Sequence, residues 1–250
     1  MILKRPGNKS KISLKIQRYF PTHKTYIEAF FGAGGMFFNK PKAKYNIVND
    51  FDNDVFNLYQ VIQFRKEEFI QEFKLMPIHE SLLNFWKTNK EEEPVKKAIR
   101  FVFLSNFTFL GAGNSLALGN FNPKKQLLKN LDITIKLLEN VQFSNRDFRE
   151  FFSQISINDF EQTFIYCDPP YINTWDNYSS SFTKEDTKEL IEKLIKTSCK
   201  FAISEFSSKE IIEIAKEYSL NVIYIGERQN LKNRRTEVLL TNYLNNSTLF

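Results

Sequence analysis

The segment TYIEAFFGAGG, residues 25 to 35, opens as a strand and closes as a glycine turn. Thr25 to Phe31 is rich in β-branched and aromatic residues, and it runs directly into Gly32-Ala33-Gly34-Gly35. Met36, Phe37 and Phe38 are expected to start a helix. Tyr45 to Val48 then reads as a second buried strand that ends in the polar run Asn49 to Asp54, and Val55, Leu58, Tyr59 and Ile62 predict the next helix. This rhythm opens an α/β sheet that places ligands at the carboxyl ends of its strands. Upstream, Ile12, Ile16 and Tyr19 predict a short helix stopped by Pro21.

From about Gln63 to Asn140 the strand signal disappears. Phe69, Phe73, Leu82 and Phe85 suggest helices, and Val95, Ala98, Ile99, Val102 and Phe103 follow the helical template closely. Glu91 to Glu93 suit the positive end of that helix. Gly111 to Lys125 is a polar loop with room for a small hairpin. The α/β rhythm resumes at Val141 to Phe143 and at Thr163 to Cys167, the latter leading straight into Asp168-Pro169-Pro170-Tyr171. Thr183 with Asp186 predicts a capping-box helix start. A strand at Phe201 to Ser204, a helix from Ser208 to Tyr218, and strands at Val222 to Gly226 and Val238 to Tyr243 complete the pattern. The last two strands are joined by a basic loop without a helix, which implies one antiparallel member in a mostly parallel sheet. Residues 1–62 and 141–250 are therefore expected to form one α/β domain, with 63–140 as a helical insertion.

The 250 residues are 42% hydrophobic, enough to bury a full core. Lys and Arg number 35 against 29 Asp and Glu, a formal charge of +6, which suits a polyanionic partner but equally a solvated lysine-rich surface. Cys167 and Cys199 are too few and too far apart for a disulfide framework or a zinc site, and no metal site is expected. No apolar run has the length of a signal peptide core or a membrane span, so a cytoplasmic location is expected. His23 and His79 read as packing or surface residues, and the 26 phenylalanines as core.

Two motifs carry chemistry. Glycines after a strand let the backbone approach a nucleotide-like ligand, and an acid at the end of the next strand accepts hydrogen bonds from ribose hydroxyls. Asp50 stands there. The dinucleotide fingerprint GxGxxG requires glycine where this chain has Phe37, so a nucleoside ligand without phosphates fits better. In the second motif, consecutive prolines at Pro169 and Pro170 fix the backbone and leave carbonyl oxygens as acceptors between an acid, Asp168, and an aromatic, Tyr171. A planar amine such as adenine N6 has the right shape to donate to the Asp168 carboxylate and the Pro169 carbonyl while Tyr171 stacks on the ring. Holding both protons frees the nitrogen lone pair for in-line attack on a sulfonium methyl.

With these motifs the chain resembles the Dam-type family of DNA adenine methyltransferases over most of its length. The resemblance implies a Rossmann-like methyltransferase sheet, S-adenosylmethionine as cofactor and double-stranded DNA as partner. It implies that Gly7-Asn8-Lys9 is the family's Gly-x-Lys element, with Gly7 and Lys9 at the cofactor. Phe31, Gly32, Ala33, Gly34 and Gly35 would be the cofactor turn, and Asp50 the ribose acid. Asn145-Arg146-Asp147-Phe148 resembles the element beside the cofactor adenine, which gives Asp147 that contact. Asp168 to Tyr171 matches the catalytic tetrapeptide without substitution, Asp168 also bordering the cofactor. A cognate restriction endonuclease, without direct contact, is a further partner the resemblance suggests. Two departures stand out: Arg5 where family members often carry an aromatic residue, and Phe103 to Gly111, which only loosely follows the family's Asn-Arg…Asn-Gly pattern, so that a GATC target is not assumed.

DNA contacts are expected from the basic loop, through Lys232, Arg234 and Arg235, as phosphate clamps, with Arg228 nearby. Asn114, Asn120, Asn122 and Lys124, on the loop from Gly111 to Lys125, are expected to meet DNA, the amides at adenine edges in the major groove. Trp175 reads as a loop packing residue as readily as a base contact. Other acceptors (RNA adenine, cytosine N4, a protein amide) and a silent DNA-binding subunit are the competing readings. Asp rather than Ser or Asn at 168, and intact Lys9, Gly34 and Asp50, argue against them.

Overall fold

The computed structural model describes residues 2–5, 7–119, 123–172, 182–229 and 234–244. Strands β1 (Thr25–Glu28), β2 (Tyr45–Asn49), β3 (Val141–Ser144), β4 (Thr163–Cys167), β5 (Lys200–Phe206), β6 (Asn221–Gln229) and β7 (Arg234–Thr241) form one seven-stranded sheet in the order β3-β2-β1-β4-β5-β7-β6. β1 pairs in parallel with both β2 and β4, so strand order reverses at β1 and β4. In sheets of this kind ligands bind at the carboxyl ends of the strands beside the switch point, and both chemical motifs lie there. β7 runs antiparallel to β5 and to β6, the single reversal expected from the helix-free connection.

The helices are α1 (Ser13–Gln17), α2 (Asn53–Phe64), α3 (Lys66–Leu75), α4 (Glu80–Thr88), α5 (Pro94–Asn106), α6 (Pro123–Leu138), α7 (Phe148–Gln154), α8 (Lys184–Lys196) and α9 (Lys209–Glu217). α5 begins as its sequence dictates. Glu93 caps it by accepting the Lys96 amide, Pro94 takes a first-turn position where no amide is needed, and Val95, Ala98, Ile99, Val102 and Phe103 are buried. The Thr183–Asp186 capping box starts α8. His79 caps α4, accepting from the Leu82 amide, and His23 packs against Tyr26 and Phe164.

Each sheet face has its own apolar cluster. One joins Tyr26, Val48, Phe164 and Tyr166 to Phe69, Phe73, Leu83 and Trp86, so the helices of residues 63–140 share a core with the sheet. The other joins Ile27, Ile165 and Ile203 to α7, α8 and α9. No helix among the described residues is long and apolar enough to cross a membrane.

Two local expectations are corrected. Met36 to Phe38 starts no α-helix. Phe37–Asn39 makes one 3₁₀ turn, because Lys40 precedes Pro41 and is extended, at φ −112° and ψ 154°. The closing hairpin is longer than its apolar residues suggest: Arg228 pairs with Arg235 and Gln229 with Arg234, so Arg234 and Arg235 belong to β7 and not to a loop. A backbone ladder extends through polar residues as readily as apolar ones, and hydropathy does not report it. Around Gly111, Thr108 and Leu116 form an isolated antiparallel bridge, with Phe109 N–H donating to Ser115 O and Ala117 N–H to Phe107 O, each at 2.8 Å.

Candidate functional site

The Gly-rich turn leaves β1 with Gly32 at φ +53° and Gly34 at φ +70°. Gly34 N–H closes the turn on Phe31 O at 2.8 Å. At Gly32 an added Cβ would meet nothing within 4 Å, which marks an open space above the strand ends. Gly35 is needed for the opposite reason: its Cβ would fall 1.8 Å from Asn8 Oδ1, so the amino-terminal segment lies against the turn. Gly7, at φ +82°, carries that segment into Lys9.

Asp50, just past β2, borders the open space. Its carboxylate accepts from Gly32 N–H at 2.5 Å and from Asp52 N–H at 2.8 Å. Burial pushes its pKa up to about 6, against the pull of those two amides. Asn49 is what holds the three strand ends level. Its buried amide donates to Ala29 O at 3.1 Å and Arg146 O at 2.9 Å and accepts from Arg146 N–H at 3.1 Å. Asn145 donates to Asp50 O at 2.8 Å. Asp147 caps α7 by accepting the Arg149 amide at 2.9 Å. Arg5, the departure from the aromatic expected there, pairs with Asp52 at 2.9 Å and lies over the Phe101 ring at 5.6 Å.

Asp168 follows β4 across the switch point. Lys9 Nζ donates to its Oδ1 at 2.6 Å and lies 3.5 Å from Glu237 Oε1. The Lys9 side chain is 3% exposed and that of Glu237 0%, while Asp168 retains 20%. The ammonium also lies 4.6 Å from the centre of the Tyr171 ring. Tyr171 donates its hydroxyl to Glu237 at 2.5 Å and meets Phe206 edge-on at 4.6 Å. Burial, then the charges of Asp168 and Glu237, raise the Tyr171 pKa well above normal, so the hydroxyl stays a donor. Pro169 is buried and Pro170 half-buried between these residues.

Two further carboxyl groups flank Asp168. Glu28, ending β1, accepts from Tyr26 O–H at 2.7 Å. Glu205 in β5 accepts from Phe206 N–H at 2.8 Å and from Ile172 N–H at 3.4 Å, just after the tetrapeptide. Burial pushes both up to about 8, which leaves them neutral near pH 7. Cys167 beside them is fully buried, and burial raises its thiol well above normal.

Sequence reading finds Asp50, Asp168 and the glycines but not Glu28, Glu205, Glu237 or Asn49. Each of the four is a polar residue in a strand that the fold buries, and the sequence offers no spacing that sets it apart from the polar residues beside it. The resemblance puts Lys9 at the cofactor, and the structure puts its ammonium on Asp168. Of the expected DNA contacts, Arg234 is exposed on β7, and Arg235 beside it lies over Phe206 at 5.4 Å, next to Tyr171. Asn114 is exposed, its backbone carbonyl accepting from Lys87. Lys124 donates to Lys74 O at 2.9 Å and to Met76 O, which pins α6 to the end of α3. Asn120, Asn122, Trp175 and Lys232 lie outside the described residues.

A family model described as D12 class N6 adenine-specific DNA methyltransferase matches residues 6–231. The DNA adenine methylase of Escherichia coli is 25% identical over 209 residues, covering 76% of this chain and 73% of its own. That of Vibrio cholerae is 26% identical over 221 residues, with 81% and 78% covered. The DNA adenine methylase of Serratia marcescens is 24% identical over 254 residues and spans 94% and 90%.

Proposed function

This chain belongs to the D12 class of N6 adenine-specific DNA methyltransferases, and from that premise we propose that it rotates the target adenine out of duplex DNA and methylates N6 in one in-line step. It is a DNA adenine methyltransferase, and its methyl donor is S-adenosylmethionine.

One observation carries the finer reading. Asp168 and Asp50 flank the same switch-point crevice, with the open space over Gly32 between the strands that bear them. The residues present suit the cofactor: a carboxylate with a raised pKa of about 6, Asp50, beside a glycine whose α-carbon faces open space. Asp50 would hold the ribose hydroxyls. Phe31 to Gly35, Gly7 and Asp147 would line the rest of the cofactor site. When bound, the cofactor supplies an electrophilic methyl group on a sulfonium.

The chain's own residues do the remainder. Lys9 holds Oδ1 of Asp168, which orients the carboxylate so that Oδ2 accepts one proton of the adenine amine. The Pro169 carbonyl accepts the other. Fixed acceptors on both N–H bonds stabilise the nitrogen as it becomes tetrahedral and cationic, and the negative Asp168 does so most strongly. Tyr171 offers its ring to the base. An adenine within the stack cannot reach a carboxylate at the bottom of the crevice, so the base must leave the helix. Arg234 and Arg235, at the tip of β7 beside Phe206, would hold the backbone next to it. Asn114, exposed on the stretch before α6, would lie toward the duplex. The cellular setting that goes with this reading is the cytoplasm, alongside a restriction endonuclease of the same specificity.

Duplexes carrying 2-aminopurine at the target position test the rotation. Binding should raise the fluorescence of that base and leave neighbouring positions unchanged. Fluorescence that stays at the duplex level in a complex competent for methyl transfer would refute base flipping.

A further inference from the structure

The buried carboxylate of Glu237 has no part in the transfer step described above, yet it touches two of the groups that the step uses, Tyr171 and Lys9. β7 pairs Glu237 opposite Phe206 of β5. This register aims the carboxylate at the floor of the crevice, where Oε1 accepts the Tyr171 hydroxyl at 2.5 Å and faces the Lys9 ammonium at 3.5 Å. The same ammonium reaches Asp168 at 2.6 Å. A carboxylate at 0% exposure is costly unless it is paired and hydrogen-bonded, as Glu237 is by Lys9 and Tyr171.

We propose that Glu237 is the positioning residue of the site, fixing the Tyr171 ring and the Lys9 ammonium relative to Asp168. The inference rests on the reading of Asp168 and Tyr171 as the groups that receive the adenine. A short hydrogen bond to a carboxylate is stronger than one between neutral groups, and it locks the ring's plane at the far end from the backbone. Phe206 packs against the same ring at near right angles, its centroid 4.6 Å away. The ammonium is held between two carboxylates and against the ring face, so Asp168 is presented in one orientation. A catalytic geometry displaced by a fraction of an ångström loses rate more than affinity.

The test compares Glu237→Gln, Tyr171→Phe and the double variant with the unaltered protein. Single-turnover methyl transfer to duplex DNA is measured beside the separate affinities for S-adenosylmethionine and DNA, and thermal stability. Glutamine keeps the shape and can still accept the hydroxyl, but it has no charge. Phenylalanine keeps the ring and loses the bond. Each single variant should slow the transfer step about tenfold to a hundredfold, with both affinities within about threefold. The double variant should lose less than the product of the two single losses, because both changes weaken the Tyr171–Glu237 contact, while Glu237→Gln alone also removes the charge that faces Lys9. Unchanged transfer in Glu237→Gln and Tyr171→Phe would overturn the proposal. So would a fall of rate, affinities and stability together, which marks a role in folding alone. If Glu237→Gln does not fold, Tyr171→Phe decides by the same criteria. Asp168→Asn, run in parallel, keeps the two claims apart. If it is inactive while Glu237→Gln is fully active, only the inference on Glu237 fails. If Asp168→Asn turns over normally, the reading beneath the inference fails.

Discussion

Asp50 carries the clearest consequence at the scale of a residue. Its pKa is raised to about 6 by burial, so below that pH it bears a proton in the free protein and is a weaker acceptor for ribose hydroxyls. Affinity for S-adenosylmethionine should therefore climb as pH rises through about 6 and level off above it, and isothermal titration across that range measures the climb. Asp50→Ala should flatten the profile and weaken binding by about 1.5–3 kcal/mol, roughly tenfold to a hundredfold. Affinity that neither depends on pH nor responds to Asp50→Ala would remove the ribose assignment. Asp50 was legible because an acid after a buried strand and a glycine turn has few other uses. Lys9 was legible only through its resemblance to a family element. Its partner, Asp168, lies 159 positions away, and only the folded chain brings the two together.

At the scale of elements, the carboxyl ends of β1, β4 and β5 crowd Glu28, Asp168 and Glu205 into one region. Burial holds Glu28 and Glu205 near 8, above the 4.5 of a free glutamate. Such groups bind protons more tightly in the folded state, so their contribution to stability is complete below about 4.5 and is lost as pH rises through about 8. Melting temperature should fall over that window. Glu28→Gln retains an acceptor for the Tyr26 hydroxyl and cannot ionise, and its melting curve should depend less steeply on pH. An unaltered slope would show that Glu28 does not titrate there. The strands and α5 were readable because burial writes itself into spacing: Val95, Ala98, Ile99, Val102 and Phe103 repeat with the helical period. The extent of β6 and β7 was not readable, since Arg228, Arg234 and Arg235 are held in the ladder by backbone hydrogen bonds that side-chain polarity does not reveal. Met36 to Phe38 misled through hydropathy, and the extended residue before Pro41 decided the outcome.

Over the whole molecule, the net charge of +6 does not by itself locate DNA, and the proposed contacts divide between two places in the chain. Arg234 is exposed at the end of β7 and Arg235 beside it lies over Phe206, next to Tyr171, and both are proposed to contact phosphates there. Replacing either with Ala should weaken binding to every duplex alike and lower the salt dependence by about one unit for each phosphate no longer neutralised. Changes at Asn114 should instead shift which sites are methylated, by about 1–3 kcal/mol at the affected base pair. Salt titrations on target and scrambled duplexes distinguish the two, and arginine variants that reshape sequence preference would contradict the division. The central claim, that Asp168 drives methyl transfer to adenine N6 in duplex DNA, meets its most direct test in one measurement. Purified protein and Asp168→Asn are each incubated with S-adenosylmethionine and duplex DNA, and N6-methyladenine is quantified in a single turnover with cofactor affinity measured alongside. The unaltered protein should form N6-methyladenine, and Asp168→Asn should bind the cofactor yet lose about a hundredfold or more in rate, the scale on which removing one preorganised electrostatic group acts. Methylation at another atom, or a near-normal rate in Asp168→Asn, would contradict the account.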